Sequence, residues 1–364
     1  MKKIITFLFI IILASINLFS DSLEESLEDL SVNAAKSYVE PLVSAFGVNL
    51  NTGWFRRAPI SKKYGIDLEF SFGATGTFFP KDKKDFYFST SFGFSKSEAE
   101  LLTEFLVGTD EESIRPYIID KLTSLNWDVA IAGPTIIGSE NDSIQIIFPQ
   151  QDIVYDYVVG ETVIIDTLSL EDDLILNLPV TGLLENLPTL PMISPQLGIG
   201  TVYGTKLVFR FLPTSTVSSE VGDLNFFGWG IQHNPKVWFD AKFPVDITFG
   251  MHFQTFKIGT IIESNATSFS INVSRTLGFK FLNITPYVGL MTEKSTMDFA
   301  YDLLIEDGEG NQTTSGIRFS MEGENKSRTF IGFALRLGIV DVNFDLNFGK
   351  YSAINLACGL GVEF

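Results

Sequence analysis

The closing stretch Tyr351 to Phe364, YSAINLACGLGVEF, sets Ile354, Leu356, Cys358, Leu360, Val362 and Phe364 in one phase and small or polar residues in the other. A period of two is the geometry of a strand, whose successive side chains point to opposite faces. One face here wants hydrocarbon and the other wants water or small polar neighbours. A bilayer-spanning β-barrel supplies both surroundings at once.

The same alternation recurs upstream. In Ile66 to Phe79, Leu68, Phe70, Phe72 and Phe78 alternate with Asp67, Glu69, Ser71 and Thr77, and Phe86, Phe88, Phe92 and Phe94 alternate with Ser89, Ser91 and Gly93. Ile247, Phe249, Met251 and Phe253 oppose Asp246, Thr248, His252 and Gln254, while Phe269, Ile271 and Val273 oppose Ser268, Ser270, Asn272 and Ser274. Ile331 to Leu337 and Val342 to Phe348 repeat the pattern, with Arg336, Asp341, Asn343, Asp345 and Asn347 in the polar phase. Weaker candidates are Leu197 to Val202, Lys206 to Leu212, Leu224 to His233 and Ile284 to Ala300. A soluble sandwich alternates too, but Gly, Ser and Asn in the polar phase suit a narrow hydrated lumen. The candidates number eleven and single-chain bacterial barrels have even counts, so a further strand is expected between Asp128 and Phe148. The expected fold is all-β, an antiparallel transmembrane barrel of about twelve strands, within a range of about ten to fourteen, with both termini on the periplasmic side.

The other end of the chain agrees. Lys2 and Lys3 precede an apolar run from Ile4 to Leu13, then Ala14, Ser15, Asn17 and Ser20, which reads as a secretory signal peptide over residues 1–20. An exported barrel belongs in the outer membrane of a diderm bacterium after cleavage. Its expected partners are outer-membrane lipid, the barrel-assembly machinery through the final strand ending in Phe364, and a small solute that the sequence does not name. With 26 Lys plus Arg against 44 Asp plus Glu, a formal charge of -18, the chain repels nucleic acid. Cys358 is the single cysteine, so closure rests on hydrogen bonding and packing without an intramolecular disulfide. Aromatic belts favour Tyr and Trp, whereas this chain carries 34 Phe against 10 Tyr and 4 Trp.

Two regions do not read as wall. Asp21 to Phe46 places Leu23, Leu27, Leu30, Ala34, Tyr38 and Leu42 at helical spacing, with Pro41 near its end. This amphipathic helix, within an amino-terminal region 21–60 that precedes a barrel over 61–364, is expected either as a periplasmic tail or as a plug. The long apolar insertion over 96–196, helically patterned at Glu98 to Leu106 and Ser113 to Trp127, is expected as a lid over a barrel mouth.

Chemistry-bearing constellations are sparse. His233 and His252 are the two histidines, too few for a multi-histidine metal site, and His252 in the polar phase reads as a lumen residue. Gly198, Gly200 and Gly204 miss the dinucleotide fingerprint by one residue and read as a hairpin's glycines. Glu306 to Asn311 lacks the register of a calcium loop and reads as a solvated acidic loop. No serine sits in a nucleophile elbow, so no enzyme and no cofactor is expected. The candidate lumen lining is Asp67, Glu69, Arg210, Asp246, His252, Gln254, Arg336, Asp341 and Asp345. Such charges in a narrow pore require either water or salt-bridge ladders.

Gly53-Trp54-Phe55, the Pro-rich run from Leu187-Pro188 to Pro195-Gln196, Gly204-Thr205, Arg210-Phe211-Leu212-Pro213 and Gly228-Trp229-Gly230-Ile231 before His233 occur together. In these motifs the chain resembles a family of unknown function among bacterial outer-membrane β-barrels. In layout it is also similar to the outer-membrane long-chain fatty-acid transporters, although the polar phase opposes a continuously greasy tunnel. The resulting expectation is a passive, porin-like channel or transporter for small solutes, hydrophobic ones included if the insertion captures them. The competing expectation is a closed structural or surface-display barrel whose acidic outer loop, Tyr301 to Arg328, binds a partner.

Overall fold

The computed structural model describes residues 32–93, 96, 99, 100, 103, 114–124, 126–150, 152–159, 162–169, 173–218, 222–239, 243–279, 281–306 and 312–363. The signal peptide, the first turns expected for the amino-terminal helix, most of the Glu98 to Leu106 pattern, Asp307 to Asn311 and Phe364 lie outside the described residues.

The helices are α1 (Val32–Asn51) and α2 (Arg115–Ser124). The first strands are β1 (Tyr64–Phe78), β2 (Asp85–Gly93), β3 (Asn126–Pro134), β4 (Ile144–Phe148), β5 (Asp152–Val159), β6 (Thr162–Ser169) and β7 (Leu174–Leu178). Then come β8 (Thr189–Val202), β9 (Thr205–Ser218), β10 (Gly222–His233), β11 (Asp246–Ile258), β12 (Ile262–Ser274) and β13 (Leu277–Phe279). The last are β14 (Leu282–Glu306), β15 (Gln312–Glu322), β16 (Ser327–Leu337), β17 (Val340–Phe348) and β18 (Ala353–Glu363). None of the described helices is long and apolar enough to cross a membrane.

The chain divides into two compact units. The first holds the described residues up to Lys83 with those of Glu185–Leu303 and Gly316–Phe364. Its strands run β1-β8-β9-β10-β11-β12-β14-β16-β17-β18, all antiparallel. Two pairings close the ring: β12 with β14, from Ile262 opposite Phe299 to Ser274 opposite Tyr287, and β18 with β1, from Glu363 opposite Asp67 to Ala353 opposite Thr77. Ten strands make the ring, while β13 and β15 pair with β14 outside the cycle. Closure leaves no edge strand in the ring, since the first and last strands pair along the height of the wall.

Burial in the wall is inverted relative to a soluble sandwich. On β1, Leu68, Phe70 and Phe72 are 42%, 41% and 49% exposed, whereas Asp67, Glu69 and Ser71 are 4%, 5% and 3% exposed. The same phase holds on β11, β12, β16 and β18, where Phe249, Met251, Phe269, Ile271, Ile331, Leu356 and Leu360 face outward. A greasy outside around a polar inside is stable only with hydrocarbon against the outside. At the rim where β1 begins, Tyr203 stacks on Trp238 with ring centroids 5.1 Å apart and meets Tyr64 edge-on at 5.4 Å. Phe239, Phe243, Phe279 and Phe281 are exposed at the same end. Tyr64, Tyr203 and Trp238 thus stand in an aromatic belt at this rim that Phe completes.

The second unit comprises the described residues of Lys84–Leu184 and Leu304–Ser315. It contains an antiparallel sheet in the order β2-β3-β4-β7 and a two-stranded sheet of β5 and β6. Ile118 and Leu122 of α2 are buried, as are Val129, Ile131, Ile144 and Phe148 on the sheet.

Several expectations are corrected. The candidate starting at Phe86, described as far as Gly93, and the strand sought between Asp128 and Phe148 are β2, β3 and β4 of the second unit, so the wall has ten strands where about twelve were expected. Alternation reports one dry face but not whether lipid or protein dries it, and a sheet covering its own small core satisfies the same pattern. The wall begins again at Thr189, inside the stretch assigned to the insertion, because Pro191 and Pro195 are accommodated within β8. Helix α1 continues five residues past Phe46, with Pro41 inside it. Tyr301 to Arg328 is not a plain loop, since it contains the end of β14 and all of β15.

Candidate functional site

The ring interior is the candidate site, and α1 with the residues after it occupies that interior. A helix leaves its last carbonyls without intrahelical partners, and its carboxy-terminal end carries partial negative charge. Helix α1 ends at Asn51, and the wall supplies cations there. Arg328 on β16 donates through Nη1 to the Val48 carbonyl at 3.3 Å and also to the Thr52 hydroxyl. Arg210 on β9 donates to the carbonyls of Leu50 at 3.3 Å and Thr52 at 2.9 Å. Gly53 then turns the chain with φ at +72°, and an added Cβ there would lie 2.6 Å from the Asn355 side-chain oxygen. Only glycine meets both demands easily.

Beyond this turn the wall continues to donate to main-chain oxygens. Gln196 and Gln232 donate to the Trp54 carbonyl at 3.3 and 3.0 Å, and Asn343 to the Arg56 carbonyl at 3.1 Å. Asn234 reaches the Pro59 carbonyl at 3.0 Å, and Thr201 the Ile60 carbonyl at 3.3 Å. Side chains of β8, β9, β10, β16 and β17 therefore hold one segment by its backbone. The segment contributes its own anchors. Asn49 donates to the Leu190 carbonyl at 2.8 Å and accepts from Thr77 at 2.7 Å, and Phe55 packs edge-on against Tyr287 at 4.9 Å.

Charge inside the ring is balanced. Among the described residues, Arg56, Arg57, Lys206, Arg210, Arg328 and Arg336 meet Asp67, Glu69, Glu293, Asp341, Asp345 and Glu363. Lys206 bridges Asp67 at 3.3 Å and Glu69 at 2.7 Å. Asp341 takes Arg336 at 2.7 Å and Arg57 at 3.1 Å, and Glu363 takes Arg336 at 2.6 Å. Arg328 lies 3.4 Å from Glu293. Asp345 is capped by neutral donors, namely the Tyr287 hydroxyl at 3.2 Å and the Asn355 and Asn347 amides. Buried charges of this kind are tolerable only when paired or hydrogen-bonded. A small cavity lies beside the segment, lined by Gly53, Trp54, Phe55, Met291, Phe330, Asp345 and Asn347.

The residues expected to line the lumen are placed as follows. Asp67, Glu69, Arg210, His252, Gln254, Arg336, Asp341 and Asp345 are buried on the inner face. Asp246 stands half-buried at the start of β11, accepting from Asn234 at 3.0 Å and bridging Lys236 at 3.3 Å. The reading of the sequence missed Lys206, Glu293 and Arg328, although Lys206 shares the parity of Arg210 and Arg328 that of Arg336. It also missed Trp54, Arg56 and Arg57, which lie in an aperiodic segment that offers no such signal. His233 is held at the rim by Thr205 Oγ1 at 3.0 Å and by the Trp238 indole N–H at 3.2 Å.

Fold and interior together define a transmembrane β-barrel of outer-membrane type with its lumen occupied by its own amino-terminal segment. The chain belongs to a family of unknown function (DUF6588), whose model matches residues 1–363. Among solved structures it is similar to a loop-deletion mutant of OmpT, an outer-membrane protein of Vibrio cholerae, at 9% identity, covering 82% of this chain and 99% of that one, with a TM-score of 0.22. It is also similar to the outer-membrane protein opdK of Pseudomonas aeruginosa at 8% identity, covering 82% and 99%, with a TM-score of 0.16. A mutant of the TodX monoaromatic hydrocarbon channel matches at 8% identity over 91% of this chain and 94% of that one, with a TM-score of 0.20. Likenesses this weak bear no weight on function. No curated protein matches the chain.

Proposed function

We propose that this protein is a non-enzymatic outer-membrane channel of a diderm bacterium, stoppered by its own segment 32–60 and passing small polar solutes when that segment shifts. The observation that carries this reading is the row of wall side chains donating to the segment's carbonyls. A barrel closed for purely structural ends is filled most simply by the side chains of its own wall. Here the inner wall is rich in Ser, Thr, Asn and Gly, which leaves room for a separate stretch of chain held by reversible polar contacts. The polar interior speaks against hydrophobic cargo crossing along the axis.

Planar-bilayer recording tests the reading. The intact protein is expected to show rare openings, and deletion of Asp21 to Ile60 a large steady conductance. A deletion variant that inserts and conducts no more than the intact chain would refute the channel. The fully paired cluster of Arg57, Arg336, Asp341 and Glu363 would then favour the second reading, a closed barrel for envelope structure or surface display.

A further inference from the structure

The anchors of the lumen segment fall on the wall in chain order. Strand β1 runs from Tyr64 at one rim to Phe78 at the other, and its register with β8 and β18 sets the height of each wall residue. On the Phe78 side, Lys36 lies over the Phe319 ring of β15 at 6.0 Å, and Glu40 meets Lys83 at 3.2 Å. The Glu324 amide donates to the Ser44 hydroxyl at 3.1 Å, and Asn49 bonds Thr77 and Leu190, which face each other near that rim. Trp54 then stands at mid-wall between Gln232 and His252. Arg57 reaches Asp341 and Glu363 near the Tyr64 rim, and Ile60 accepts from Thr201. Finally the amides of Tyr203 and Gly204, the turn between β8 and β9, donate to the carbonyls of Lys63 and Lys62 at 2.8 and 3.1 Å. The chain therefore passes through the ring from one rim to the other without doubling back, whereas a plug entering and leaving by one rim would mix the two sets of contacts.

The connections decide which rim faces outward. At the Tyr64 rim, Tyr203-Gly204 joins β8 to β9 and Gly338-Ile339 joins β16 to β17, and the longest link there is 234–245. At the Phe78 rim, β1 is joined to β8 by residues 79–188. Single-chain outer-membrane barrels keep short turns in the periplasm and long loops outside, and an even number of strands returns both ends of the wall to the periplasm. A wall that begins at Tyr64 and ends at Glu363 opposite Asp67 meets that rule with the Tyr64 rim in the periplasm.

We infer that the segment is threaded outward, so that Lys63 faces the periplasm and the barrel presents the amino-terminal end of α1 at the cell surface. Val32 and Asn33 are exposed at that end. The two ends of the described chain then lie on opposite sides of the membrane, although both termini are expected in the periplasm from the strand count alone. The inference rests on the outer-membrane location in the proposed function and not on conduction.

The test is labelling of single cysteines in cells producing the full chain, with a maleimide carried on a polyethylene glycol too large to cross the outer membrane. Cys358→Ala removes the native thiol, and Asn33→Cys, Lys350→Cys and Lys62→Cys each place one at an exposed position. Each variant is scored only as the folded species that resists heat on a gel. Asn33→Cys and Lys350→Cys should react in intact cells, and Lys62→Cys only after the outer membrane is permeabilised. Lys350→Cys, in the turn between β17 and β18, reports the orientation of the wall without reference to the segment. Silence of Asn33→Cys in intact cells, with Lys350→Cys reacting, would mean that the segment does not thread the ring. Silence of both would mean that the Phe78 rim does not face outward, and either result overturns the inference. The expected labelling in a protein whose deletion variant never conducts would retain the threading and refute the channel. Conduction by that variant without the expected labelling would do the reverse.

Discussion

The Trp54 indole lies on the His252 imidazole, ring centroids 4.7 Å apart and planes 20° from parallel, and the Arg210 guanidinium carbon is 4.0 Å from the centre of the indole. One residue of the aperiodic segment is thereby fastened to β11 and β9 at mid-wall, by stacking and by a cation held over an aromatic face. Trp54→Ala removes both contacts and the burial of a residue that is 1% exposed. The expected loss is about 3 kcal/mol, confined to the segment. Hydrogen exchange should accelerate at residues 48–60 while β9 and β11 keep their protection. Equal acceleration in those strands would mean that the segment is part of the wall's cooperative unit.

Lys206 neutralises two buried carboxylates, and removing it strands both. Lys206→Met should cost about 3 to 5 kcal/mol in urea unfolding from lipid vesicles, because an uncompensated buried charge is worse than no pair at all. Adding Asp67→Asn and Glu69→Gln should recover most of that loss. Failure of the triple variant to recover would show that the three side chains matter through packing rather than charge.

The far end of α1 is tied down at the rim opposite the start of β1. Lys83 bridges Glu40 at 3.2 Å and Glu324 at 3.0 Å, and Lys350 bridges Glu324 as well. Burial acts to raise the Glu324 carboxyl, but the hydrogen bonds from Lys350 and Lys83 outweigh it and hold it below the usual 4.5. A depressed carboxylate contributes stability that is complete above its unfolded value and drains away as pH falls through the folded one. Burial and the neighbouring Glu324 raise Glu40 in the same cluster, which works the opposite way above 4.5, so exchange in the first turns of α1, corrected for intrinsic rate, should rise only once pH falls below the 4.5 of an unperturbed glutamate. Glu324→Gln should abolish that acid-induced rise.

The outward phase of the wall has its own test. Phe72 is midway along β1 on the greasy face, and Phe279 is 82% exposed at the rim. Phe72→Arg should cost about 2 to 4 kcal/mol in a bilayer, and Phe279→Arg about 1 kcal/mol or less, since the penalty falls with distance from the midplane. Equal costs at the two positions would contradict the assignment of the membrane's depth.

The ten wall strands were legible because each has lipid on one face, which forces a visible two-residue phase from Leu68 on β1 to Leu360 on β18. Lys206 and Arg328 were legible by the same parity and were simply passed over. Phe86 to Phe94 misled because a strand records that one of its faces is dry and not what dries it.

Local pattern thus carried the membrane, the antiparallel ring and most of its polar lining, since burial against lipid is read residue by residue. Whether the lumen is empty could not be read that way. Trp54, Arg56 and Arg57 have no period to follow, and the partners of Trp54 and Arg57, His252 and Asp341, are far away in the chain. Closure of β18 onto β1 around α1 brought those residues together, and so the occupant of the pore and the pairing of its charges belong to the tertiary fold alone.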